Sequence, residues 1–454
     1  MSKPKPRKRS PAPPAPTPTV AVPAVSAPAS FEVQQRLYQT FEPMPLEASE
    51  TDLYVDLDSV RGDTDVVEKL LREIQFSNKP KTWLLSGHKG CGKSTELRRL
   101  KHRLETGPHK YFTVLCTERH VDTVNVEFTD VLIVTLQQVA AELKKVKISL
   151  ESNYLTKTLQ NLSKLLFSEV KLEKLDFTVG WAKISAAIQS SPDAREQVRK
   201  LLEAETANLQ REVNQRFDKA NEELAKQGYA GLLVLFDSLD RIIDVARAEA
   251  LFVQRATEMT AFRCKMVMTM PISLAYSESI QQLSTTYASK PNIVPMTKLR
   301  TPPPARARHE PGFGKFREIV DARLPNVGES RASLLHSDQV LDELIAATGG
   351  QPTELMAFLQ ALIVKGPLPI SSEGVARLRR EFARDYRWFV REDWKVLSAI
   401  AQDGKYELEA QSQSVLKRLL DSRAVLQYLN DEEWYDLNPI VEQITPPSSE
   451  KSSA

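Results

Sequence analysis

The chain has 454 residues, of which 41% are hydrophobic and 26% charged, with a formal net charge of +2. That composition is ordinary for a globular protein and allows two or three domains. The charge is uneven: Lys3, Lys5, Arg7, Lys8 and Arg9 precede the first acid, Glu32, and without them the remainder carries −3, which argues against a uniformly basic nucleic-acid surface on the folded body.

Residues 1–30 hold 9 of the 28 prolines, so they read as a disordered, basic, Pro/Ala-rich tail rather than a secretory signal. Weak nucleic-acid contact through this tail is expected, with a solubilising role as the alternative. Residues 446–454 read as a second polar tail. Cys91, Cys116 and Cys264 show neither metal-ligand spacing nor a disulfide framework. No apolar run approaches the roughly 18 residues of a membrane span. The expected location is the cytoplasm, with no membrane partner.

Leu53–Leu57 alternates like a strand, and Thr64–Phe76 follows as a helix with Val67, Leu70, Leu71 and Ile74 on one face. Next comes the apolar strand Thr82–Ser86, and directly after it Gly87-His88-Lys89-Gly90-Cys91-Gly92-Lys93-Ser94. This stretch satisfies G-x-x-x-x-G-K-[ST] at every fixed position. Leu97, Leu100 and Leu104 then recur at helical spacing. Strand, glycine loop and helix form a phosphate cradle. The glycines (Gly87, Gly90, Gly92) let backbone N–H groups, with those of Cys91 and Thr95, turn onto phosphate oxygens at a helix N-terminus. Lys93 supplies a charge to the phosphates, and Ser94 a hydroxyl to Mg²⁺.

Phe112–Cys116 reads as the next buried strand and 127–144 as an amphipathic helix. Between them and the following strand, 145–228 reads as a mainly helical insertion. Within it 150–190 looks irregular, with a possible short strand at Leu175–Val179. A long helix opens at Ser191-Pro192 and ends at Gly228, its stripe marked by Val198, Leu202, Leu209, Val213, Phe217 and Leu224. Leu232–Phe236 is an apolar strand of the kind found at the centre of a parallel sheet, and Asp237 at its tip is the candidate second Mg²⁺ ligand. Asp240, three residues on, either orients the attacking water or merely caps a turn. Arg241 reads as an ion-pair partner. Lys265–Met270 is a further strand, and its Thr269 is a candidate sensor of the γ-phosphate, although polar strand ends are also common without function.

Alternation of strands and helices over 50–300 predicts a doubly wound α/β core. Helices fill 312–385. Two more, near 391–402 and 410–421, precede strand-like Ala424–Asn430 and Glu433–Asn438, joined by Asp431-Glu432. Helices followed by a hairpin predict a winged helix over 390–445. Its second helix carries Gln411, Ser412, Gln413, Lys417 and Arg418, surrounded by Glu407, Glu409, Asp421, Asp431, Glu432 and Glu433. That face favours domain packing or protein contact over DNA.

The phosphate loop, Leu232–Arg241 and Val267–Ser273 together resemble the AAA+-related P-loop ATPases, closest to the STAND and KAP types. Gly349-Gly350-Gln351-Pro352 is similar to their Gly-x-Pro lid element, and Val60-Arg61-Gly62-Asp63 to their N-terminal signature near the adenine. The resemblance covers about residues 50–442 and implies a helical lid over 312–385, with Arg61 and Pro352 beside the nucleotide. Ser238 stands where the family's usual glutamate follows the aspartate, and Thr353 and Glu354 stand where a lid arginine is expected. These departures favour slow hydrolysis or binding as a switch. The expected activity is therefore ATP hydrolysis with Mg²⁺ by a nucleotide-regulated switch acting on a protein effector or through homo-oligomers. By analogy its setting is prokaryotic signalling or anti-phage defence. The alternatives are a DNA-loading or remodelling ATPase and a non-hydrolysing nucleotide-bound scaffold.

Overall fold

The computed structural model describes residues 30–62, 65–167, 176–404, 412–430 and 432–444. The basic tail, the C-terminal tail, Asp63, Glu407, Glu409, Gln411 and Asp431 lie outside them.

The core is a five-stranded parallel sheet made of β1 (Thr82–Ser86), β2 (Phe112–Cys116), β3 (Leu232–Phe236), β4 (Lys265–Thr269) and the short β5 (Asn292–Ile293). Its order is β2-β3-β4-β1-β5, with every neighbouring pair parallel. The strands are apolar because helices cover both faces. Pleating then sends alternate residues to different cores. Leu84, Val234 and Met268 face one way, toward the helices Phe128–Lys145, Phe177–Ser190 and Thr206–Lys226. Trp83, Leu85, Leu233, Leu235 and Val267 face the other, toward Val66–Phe76 and Lys93–Thr106.

Several local expectations are corrected. Leu53–Leu57 is not a strand: it runs as a turn and extended loop into the one-turn helix Asp58–Val60. Its apolar residues wall a cleft instead of pairing with a sheet edge. Within 150–190 the described residues are mainly helical, as Asn153–Leu166 and Phe177–Ser190, while Leu175 lies outside them. The Asp176 carboxylate accepts from the N–H groups of Thr178 and Val179 at 3.0 and 3.1 Å. That cap starts a helix where β-branched residues suggested a strand. The long helix after Ser191 is two helices, Pro192–Leu202 and Thr206–Lys226, separated by a turn at 203–205. All of these pack on the sheet and share its core.

The helices from Glu310 to Phe382 form their own core, which also takes Leu37 and Phe41 from the Phe31–Thr40 segment. The helices Arg391–Asp403 and Gln413–Asp421 lead to an antiparallel hairpin, β6 (Val425–Asn430) and β7 (Glu432–Leu437). Its two faces go to two places. Val425, Tyr435 and Leu437 pack on the preceding helices, whereas Leu426, Tyr428 and Trp434 join the core of the phosphate-loop helix. No helix among the described residues is long and apolar enough to cross a membrane.

Candidate nucleotide site

The phosphate loop departs from ordinary backbone where the sequence places glycine: φ is +146° at Gly87, +85° at Gly90 and +107° at Gly92. A side chain at Gly87 would also press on the Val294 carbonyl at 2.7 Å. Gly92 is the N-cap of the Lys93–Thr106 helix, and no side chain caps it. The helix therefore presents uncapped N–H groups and positive potential to the cleft. Cys91 is buried within the loop, and its carbonyl accepts from the Arg61 guanidinium.

Lys93 is buried, and its Nζ donates to the carbonyls of Gly87 at 2.7 Å and His88 at 2.8 Å. It also pairs with Asp240 Oδ2 at 2.8 Å. Burial works against the ammonium charge, but Asp240 outweighs it and the group is held above its usual range. Asp240 thus sits as the counter-ion of Lys93. Asp237 and Ser94 come together as well. Burial and the Asp240 charge push Asp237 up, opposed by hydrogen bonds from the Ser94 hydroxyl and the Ser238 amide. A hydroxyl facing a buried carboxylate, one step from a phosphate cradle, is a donor set that fits Mg²⁺.

Of the other candidates, Arg61, Thr95 and Pro352 line the cleft and Thr269 does not. Arg61 also braces the loop, pairing with Glu96 at 3.4 Å and donating to the Cys91 carbonyl. Thr269 has no exposed surface. Its hydroxyl accepts from the Asp240 N–H at 3.4 Å and donates to the Phe236 carbonyl at 3.4 Å, so it ties β4 to the turn after β3. Thr95 accepts from the Leu46 N–H at 3.2 Å and anchors the chain that walls the cleft. Pro352 opens the helix Pro352–Lys365 at the cleft edge, where the Thr353 N–H donates to the Gly90 carbonyl at 3.4 Å.

The cleft has a volume of about 550 Å³. Its lining combines Lys93, Ser94 and Asp240 with the apolar Leu53, Leu57, Ile319 and Met356. No family model and no curated protein matches the chain. Among solved structures it is similar to a Walker-type ATPase of Pyrococcus abyssi, at 14% identity, over 89% of this chain and 99% of that one, with a TM-score of 0.43. The case for the site rests on its own geometry.

Three features of the site were not anticipated from the sequence. Arg423, at the start of the hairpin with φ +63°, lines the cleft and pairs with Glu354. An arginine thus reaches the cleft from the start of the hairpin, 69 positions from the Glu354 it pairs with. His88 is buried, and its Nε2 accepts the Gln427 N–H of β6 at 2.8 Å. Burial, then the charges on Lys93 and Arg423, push His88 down to about 3. The ring is neutral, and because Nε2 accepts, Nδ1 carries the proton. Finally, Tyr428 stacks on Trp434 with ring centres 4.1 Å apart and donates its hydroxyl to the Gly349 carbonyl at 2.8 Å. The hairpin therefore touches the phosphate loop and the turn before Pro352 together.

Proposed function

We propose that the chain is an ATP-binding P-loop ATPase working as a slow, nucleotide-regulated switch, with a helical lid and a C-terminal winged helix. The observation that carries this is Lys93. Its ammonium is buried at the base of the cleft, held only by loop carbonyls and Asp240, beside an uncapped helix N-terminus. A polyanion entering the cleft would exchange for those partners. Lys93 would move onto the phosphates, joined by the loop N–H groups. The apolar wall of Leu53, Leu57, Ile319 and Met356 suits the faces of a purine ring.

Ser94 and Asp237 would hold Mg²⁺, which when bound neutralises charge on the phosphate oxygens. Asp240, released from Lys93, would stay at the γ-phosphate end, with Thr269 fixing its backbone. Switching is supported by the hairpin: His88 belongs to the loop that grips phosphate, and Gln427 and Tyr428 belong to the segment that would move. The output would be altered binding of a protein effector or of another copy of this chain.

The test is equilibrium binding of ATP with and without Mg²⁺. Wild type should bind more tightly with the metal, and Asp237→Ala should lose most of that difference. Equal Mg²⁺ dependence in both proteins would remove Asp237 from the site.

A further inference from the structure

We propose that Glu118 is the carboxylate that holds and deprotonates the attacking water; this rests on the ATPase reading above. Strand β2 pairs with β3 in parallel register, Cys116 opposite Phe236, and the Asp237 N–H donates to the Cys116 carbonyl at 2.8 Å. The chain after Cys116 therefore runs alongside Asp237-Ser238. Two residues beyond the strand, Glu118 Oε2 accepts the Ser238 hydroxyl at 3.1 Å. Its other oxygen lies 3.9 Å from Arg241, which lines the cleft.

Among the carboxylates near this end, Asp240 lines the cleft, Asp237 faces Ser94, and Glu118 reaches it through Ser238 and Arg241. Asp237 faces Ser94 and is needed for metal. Asp240 is the counter-ion of Lys93. Glu118 accepts the Ser238 hydroxyl and its own backbone N–H and lies 3.9 Å from Arg241, and its side chain keeps 39% of its surface exposed. It combines access to water with a position beside the segment that carries Asp237. Ser238 brings no acid of its own to that spot, and its hydroxyl instead steadies an acid delivered from the next strand. In the step assigned, the water oxygen bonds to the γ-phosphorus and the bond from phosphorus to the β–γ bridging oxygen breaks. Its electron pair leaves with ADP. The water proton passes to Glu118 and then to the phosphate released.

The experiment compares wild type, Glu118→Gln and Glu118→Asp in the full chain, measuring ATP affinity by calorimetry and phosphate release at saturating ATP·Mg²⁺. Glutamine keeps the length and can still accept from Ser238, whereas aspartate keeps the base at shorter reach. Glu118→Gln should bind ATP as wild type does and release phosphate 10²–10⁴-fold more slowly, with Glu118→Asp at least tenfold faster than Glu118→Gln. A purely structural tie gives the reverse order, and that order would overturn the assignment. Release by Glu118→Gln within threefold of wild type would overturn it equally. So would a wild type that binds ATP without hydrolysing it, leaving the nucleotide site intact. A wild type that binds no ATP would remove the site itself.

Discussion

The two faces of the central sheet are both densely packed, yet they are built differently. On the side covered by the helices between Phe128 and Lys226 the core is aliphatic and aromatic, with some ion pairs largely buried, such as Arg195 with Asp122, and others at its margin. Lys144 with Asp176, for example, is about half exposed. On the other side the phosphate loop, the turn at Gly349-Gly350 and the hairpin meet through buried polar contacts and positive-φ backbone. Buried polar groups and strained backbone cost stability. The combination of both around the phosphate loop marks where the molecule does something besides fold.

The largest effect that would sharpen this contrast is expected at Gly350. Its φ is +88°, and a side chain would meet the Thr297 carbonyl at 2.0 Å. Gly350→Ala should lower stability by roughly 4 kcal/mol or more, or prevent folding, as measured by denaturant unfolding. An equally stable variant would show that the turn is not constrained.

At His88, a change to Ala removes the acceptor for Gln427 and leaves a cavity in a full core. A loss of about 2–4 kcal/mol is expected. The hairpin should become more susceptible to limited proteolysis than the helices at 206–226. Uniform susceptibility would break the proposed link between loop and hairpin.

A smaller, pH-dependent effect is expected at Asp421, whose carboxyl burial pushes up to about 6. The folded state then favours the protonated acid. This contribution to stability is fully present below pH 4, is lost as pH rises through 6, and stays lost above. Asp421→Asn should therefore stabilise the protein at pH 7.5 by at most about 3 kcal/mol and have little effect at pH 4. A gain of the same size at both pH values would contradict the burial argument. Least of all, Lys144→Ala should cost below about 0.5 kcal/mol and leave nucleotide binding unchanged.

Legibility followed sequence distance. The phosphate loop, its strand and its helix could be read because the residues that build them are consecutive. The strand that leads to Asp237 could be read because an apolar run is a local pattern. Glu118, His88 and Arg423 escaped because their meaning lies in a partner: Ser238 is 120 positions from Glu118, and Gln427 is 339 from His88. Leu53–Leu57 misled because alternation serves equally for a strand or for a cleft wall, and only a neighbouring strand decides between them. The 175–179 stretch misled because one capping aspartate outweighed β-branched propensity.

The most direct test of the central claim is calorimetric titration of ATP·Mg²⁺ into wild type and Lys93→Ala, after circular dichroism has shown both folded. Wild type should bind with one site per chain, and Lys93→Ala should bind at least about a hundredfold more weakly, the loss expected when a buried cation no longer meets the phosphates. Unchanged affinity in a folded Lys93→Ala protein would contradict the account.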